Sequence, residues 1–160
     1  MLNQNQAKYL RAGIGPIFWG PGDQVRFLIT GAETGEAFSM LEVSVVPGGG
    51  PPPHIHHNED ESFYLLEGAV SLHAGEKTLH VSAGDFANVP RGTVHWFKNT
   101  GKGNAKMLVT FTPAGAEKFF EETFYPAVDG EAAPTCLTEA MLARLMTAAP
   151  KYGLEFLPPA

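Results

Sequence analysis

The chain has 160 residues, 44% of them hydrophobic, with 17 acidic against 11 basic side chains and a net charge of −6. One domain of this length, 1–160, buries roughly 70% of the surface its unfolded chain exposes, so neither a metal nor a disulfide is needed merely to fold it. Lys and Arg are scattered along the chain, which removes the basic footprint expected of a nucleic-acid partner or an anionic membrane surface.

The N-terminal stretch MLNQNQAKYLRAGIG lacks the apolar segment of a secretory signal. No later apolar run approaches the ~20 residues of a transmembrane helix. A soluble, cytoplasmic protein is the expectation. Short β-branched and aromatic runs follow at 25–30, 38–46, 62–66, 69–73, 78–81, 86–89, 94–99 and 105–112. Turns rich in Gly, Pro, Asn and Asp separate them, and eight short strands at this spacing predict an all-β sandwich or barrel with its core at about 25–112. Glu67-Gly68, Ala74 to Lys77 and Gly84-Asp85 are the hairpin or loop turns, because Gly accepts a positive φ without a Cβ clash. After Pro113 the apolar spacing becomes helical over 114–124 and 138–149, with Thr138 as an N-cap, so 113–160 reads as a helical tail. The loop YPAVDGEAAPT lies between the two helices. Cys136, the only cysteine, cannot form an internal disulfide and reads as a structural thiol.

Two motifs carry the chemistry. In GGGPPPHIHHNEDESFYLLEG, His54 and His56 are two apart, so on an extended strand both side chains leave the same face. A turn over His57 to Asp60 lets Glu61 open the next strand facing back toward them, with Ile55 and His57 pointing away. Pro51, Pro52 and Pro53 fix φ, need no ladder hydrogen bonds and form a stiff lead-in. In GDFANVPRGTVHWFKN, turns at Gly84-Asp85 and Pro90 to Gly92 bracket a strand and bring in His95, with Phe97 and Asn99 on its face and Val94, Trp96 and Lys98 on the other. Three imidazoles and a carboxylate are a donor set for one divalent transition metal. The competing reading is that the four side chains hydrogen-bond inside the barrel without an ion, although leaving them unpaired there is costly.

The same residues resemble the two motifs of the cupin superfamily without a gap. Gly48, His54, His56, Glu61 and Gly68 stand at the first motif's spacing, Gly84, Pro90, Gly92, His95 and Asn99 at the second's, with fifteen residues between Gly68 and Gly84. The resemblance implies a cupin-type double-stranded β-helix, a jelly-roll barrel of six to eight strands. It would hold one metal per subunit on His54, His56, Glu61 and His95, commonly in a homodimer. Overall likeness is greatest to small single-domain proteins grouped with quercetin 2,3-dioxygenase. That implies a metal-dependent dioxygenase on a small aromatic or hydroxy-carbonyl substrate such as a flavonol, with Fe, Mn, Ni, Cu or Co as the ion and Glu61 as catalytic base. Zn would instead suit a non-redox isomerase or decarboxylase, and a small-ligand-binding protein without turnover is the third reading. Elsewhere His57 reads as solvent-side, His73 and His80 as surface histidines, Glu59 and Asp60 as a solvated loop and Arg91 as facing water. Phe63, Phe97, Phe111 and Met40 are core or the apolar lining of a pocket. Asn99 and Gly92 support turns and backbone, and the outward apolar positions Val94 and Trp96 need cover from the chain itself or a second subunit.

Overall fold

A computed structural model describes residues 6–158 apart from 130, 132 and 135. Five positions of the N-terminal stretch, three of the loop between the two helices and the last two of the tail therefore lie outside the described residues. The fold is two antiparallel sheets. One runs β11 (Tyr125–Pro126), β1 (Ile17–Trp19), β2 (Asp23–Ile29), β3 (Ser39–Val45), β10 (Ala105–Thr112), β5 (Asp60–Glu67) and β8 (Phe86–Val89). The other runs β12 (Leu154–Phe156), β4 (His54–His56), β9 (His95–Asn99), β6 (Ala69–Ala74) and β7 (Lys77–Ser82). The jelly-roll expectation holds.

Strict alternation sets which side chains meet between the sheets. In β3 the inward positions are Ser39, Leu41, Val43 and Val45, and in β10 they are Ala105, Met107, Val109 and Phe111, all buried. Glu61, Phe63 and Leu65 continue that face on β5, and His95, Phe97 and Asn99 supply it on β9. Met40 falls on the outward phase of β3 and is only half-buried, so it is not among the interior residues. Phe63, Phe97 and Phe111 are. Gly50 takes φ 145° where the chain enters β4, and a Cβ there would run into the Phe97 carbonyl oxygen, so the lead-in admits only glycine. Asn99 joins three segments: its amide donates to the carbonyls of Val45 and Gly103, both at 2.9 Å, and its oxygen accepts from Gly101 N–H.

The tail is more than helical. The helix α1 (Gly31–Thr34) is a single turn, and α2 (Glu117–Thr123) and α3 (Glu139–Ala148) are the two expected helices, with Thr138 accepting from Met141 N–H as the N-cap of α3. A 3₁₀ turn (Ala149–Tyr152) then delivers β12 onto β4, pairing Leu154 with His56 and Phe156 with His54. Phe119, Ala148, Ala149 and Leu154 form a small second core beneath it. Among the described residues no helix is long and apolar enough to cross a membrane. Cys136 is exposed rather than packed.

One buried carboxyl opposes stability. Burial alone raises Asp23 to about 7, and its Oδ1 finds no hydrogen-bond partner among the described residues. A folded pKa above the unfolded one means that stability is complete below about pH 4 and is lost as pH rises toward 7. Asp23→Asn should therefore raise the melting temperature at pH 8 by the equivalent of roughly 1–3 kcal/mol and change it little at pH 4. Thermal melts at the two pH values check this.

Candidate metal centre

The register of the strands brings the four residues of the two motifs together. His54 lies directly opposite His95 across β4 and β9, and Glu61 lies opposite Phe111 on β10 and Val89 on β8. One ligand-type atom from each of His54, His56, Glu61 and His95 falls within 4.8 Å of all the others, and all four residues are buried. Glu61 Oε2 is the focus: it stands 2.8 Å from His95 Nε2 and 3.3 Å from His56 Nε2. A barrel that only needed polar side chains inside could satisfy them pairwise, whereas here two rings present nitrogen to one carboxylate oxygen and the third joins the same group within 4.8 Å.

The far side of two of the rings shows why. His54 Nδ1 donates to the Pro52 carbonyl and His95 Nδ1 to the Thr93 carbonyl, both at 2.9 Å and both two residues back along the chain. With the proton held at Nδ1, the Nε2 lone pair is left for an ion, as in metal-binding imidazoles generally. Burial, helped by the neighbouring His95, pushes His54 down to about 3, so this ring is neutral at pH 7. Burial also opposes charge on His95, but the Glu61 carboxylate, which accepts from the protonated ring, outweighs it and moves that group upward. For Glu61, burial favours the protonated acid, yet the imidazoles of His56, His95 and His54 together hold it below the usual carboxylate range. Three imidazoles and an ionised carboxylate with ligand atoms within 4.8 Å of one another fit a divalent transition metal.

The surroundings are apolar. Phe111 lies 5.3 Å from the His56 ring and Phe156 6.1 Å from His54, while Phe63 meets the edge of His95 at 6.5 Å. Phe156 was not legible as a site neighbour because it belongs to the tail, 102 positions beyond the residue it covers (156 less 54). The loop between His56 and Glu61 also departs from expectation. Glu59 is 3% exposed rather than solvated, because the bend at His57 and Asn58 turns it inward. Asp60 stays at the surface and takes Arg91, whose guanidinium it meets at 3.0 Å and which also reaches the Thr112 carbonyl, so Arg91 does not simply face water. His57 is exposed and pairs with Glu155 of β12 at 2.7 Å, and His80 is exposed. His73 stacks on Trp96 at 4.5 Å, which gives that outward indole cover from its own sheet.

Residues 41–111 match the family model described as cupin domain. This stretch is a cupin domain. Along 107 residues it is 32% identical to a quercetin 2,3-dioxygenase of Aspergillus japonicus, covering 62% of this chain and 29% of that one. Along 81 residues it is 38% identical to oxalate oxidase GF-2.8 of Triticum aestivum, covering 46% and 36%. The chain thus spans about a third of the length of these curated relatives. Among solved structures, a recombinant oxalate oxidase in complex with glycolate aligns with a TM-score of 0.51 at 30% identity, over 58% of this chain and 52% of that one. KdgF from Halomonas sp. aligns with a TM-score of 0.63 over 71% of this chain and 99% of that one, and at 18% identity it speaks for the fold alone.

Replacing His56 or His95 with Ala should lower metal content sharply by elemental analysis while the circular dichroism spectrum stays native, since the main core, with Leu41, Leu65, Met107 and Val109, is built of apolar side chains and includes none of the ligands. Full metal occupancy in either variant contradicts the assignment.

Proposed function

We propose that this cupin is a metal-dependent dioxygenase acting on a small aromatic or hydroxy-carbonyl compound such as a flavonol, with one ion per subunit on His54, His56, Glu61 and His95. The observation that carries the reading is a three-histidine, one-glutamate cluster sunk among Phe63, Phe111 and Phe156. The likeness to quercetin 2,3-dioxygenases supports it. Fe(II), Mn(II), Ni(II), Cu(II) or Co(II) held there would supply an open coordination position and the redox capacity for a reaction with dioxygen.

The chain's own residues do the rest. The phenyl rings of Phe63, Phe111 and Phe156 exclude water and offer flat apolar contact to an aromatic substrate. His54 and His95 are locked at Nδ1 and cannot rotate away when a substrate enters. Glu61 presents Oε2 to the imidazoles, which leaves Oε1 to take the proton of a substrate hydroxyl. The oxalate oxidase likeness keeps a second reading open, a small-carboxylate enzyme that with Zn would work as an isomerase or decarboxylase. Against it, no Lys or Arg among the described residues forms an ion pair with Glu59 or Glu61, and Arg91 is engaged by Asp60. Binding of a small ligand without turnover is the remaining alternative.

The test is oxygen uptake with flavonols and diketones by protein reconstituted in turn with Fe, Mn, Ni, Cu and Co. Glu61→Gln should retain some metal and lose about 10²- to 10⁴-fold in rate, because an amide can ligate but cannot accept the proton. No oxygen consumption with any metal and substrate overturns the dioxygenase reading. A homodimer in the cytoplasm belongs to the same proposal. Tyr64 and Phe86, cross-strand partners on the outer face beside the edge strand β8, are 45% and 66% exposed, a patch that a second subunit would cover. Light scattering at micromolar concentration should give twice the chain mass.

A further inference from the structure

Glu59 is a buried side chain with one carboxyl oxygen that lacks a hydrogen-bond partner among the described residues. It sits in the bend between β4 and β5, is 3% exposed, and its Oε2 makes no hydrogen bond among the described residues. Its acidic neighbour Asp60 takes the nearby guanidinium of Arg91, and among the described residues no Lys or Arg forms an ion pair with Glu59. Such a group costs several kcal/mol to bury unless something compensates it. The second orphan is close: His56 Nδ1 also lacks a partner, and the two atoms are 3.6 Å apart. In the other two histidines the same nitrogen is tied to a backbone carbonyl at 2.9 Å. His56 alone has no carbonyl in that place, and a carboxylate stands there instead.

We propose that Glu59 is the positioning residue of His56: its carboxylate accepts the Nδ1 proton and so presents the Nε2 lone pair to the ion. This rests on the metal-centre reading and goes beyond it, because Glu59 is not one of the four ligands. A movement of roughly 0.5 Å by either side chain brings the pair within N–H···O range. The charge count then closes. A divalent ion with three neutral imidazoles and Glu61 carries a net charge near +1, and Glu59 brings the buried cluster to zero, which a low-dielectric interior favours over an isolated charge. Glu59 thus differs in kind from the two carbonyl tethers, since it supplies both an acceptor and a counter-charge.

Glu59→Gln keeps an acceptor and removes the charge, whereas Glu59→Ala removes both. Metal affinity should therefore fall in the order wild type, Gln, Ala, with the Ala variant about 10- to 100-fold weaker by chelator competition. The visible spectrum of the Co(II)-loaded variants should shift as His56 loses its fixed orientation. Melting of the metal-free variants provides the structural control: it should be unchanged or raised, because an unpaired buried charge has been removed. Wild-type affinity together with a wild-type Co(II) spectrum in both variants overturns the proposal, and so does a lowered metal-free melting temperature with unchanged affinity. His56→Ala marks the loss expected when a ligand is removed. If the wild type itself takes up no metal, the metal-centre reading fails first and this inference fails with it.

Discussion

Everything at this site depends on aiming three imidazole nitrogens and one carboxylate at a single point inside a barrel. A β-strand offers only two directions for a side chain, so the register of the ladders decides whether the ligands meet. A slip of one residue in β4 would send His54 and His56 outward and Ile55 inward. The direct pairing of His54 with His95 prevents such a slip from the β9 side, and β12 pairs on the opposite side of β4. Asn99, at the far end of β9, secures that strand to the β3 end and to the turn before β10. The ligand positions are ordinary inward positions of the sheets in which polar side chains replace apolar ones, so the same alternation that builds the core also builds the site.

Much of this was legible in the sequence because alternation and turn residues are local signals. The eight long strands, both helices, the N-cap at Thr138 and the inward phase of Phe97 and Asn99 follow from spacing alone. What was not legible is set by partners far away in the chain. β1, β11 and β12 are two or three residues long and exist only because a neighbouring strand completes their hydrogen bonds. Glu59 and Asp60 are adjacent acids that composition cannot tell apart. A backbone bend turns one inward and leaves the other to Arg91. The acceptors behind His54 and His95 are carbonyls, which leave no trace in a residue pattern.

The tail has a consequence for access. Its strand β12 lies along the ligand-bearing strand: Leu157 N–H donates to the Pro53 carbonyl, His57 N–H to the Gly153 carbonyl, and Phe156 reaches the His54 ring. The segment that closes this wall of the barrel also anchors the second apolar core under α3. β12 therefore ties this wall of the site to the packing of Phe119 and Leu154, and on this side the Phe156 ring lies against His54.

That environment bears on which of the relatives' chemistries suits this interior. A small dicarboxylate brings two negative charges to a cluster in which Glu59 and Glu61 already offset a bound divalent ion, and no Lys or Arg among the described residues forms an ion pair with either. The buried site would then carry a net negative charge, which a low-dielectric interior disfavours. A hydroxy-carbonyl compound enters neutral and, on the proposed reading, would pass its proton to Glu61 and so add no net charge to the site. Its rings also gain contact with Phe63, Phe111 and Phe156 that a dicarboxylate cannot use. Charge and apolar contact thus support the same proposed class of substrate, although the oxalate oxidase matches at higher identity over a shorter stretch.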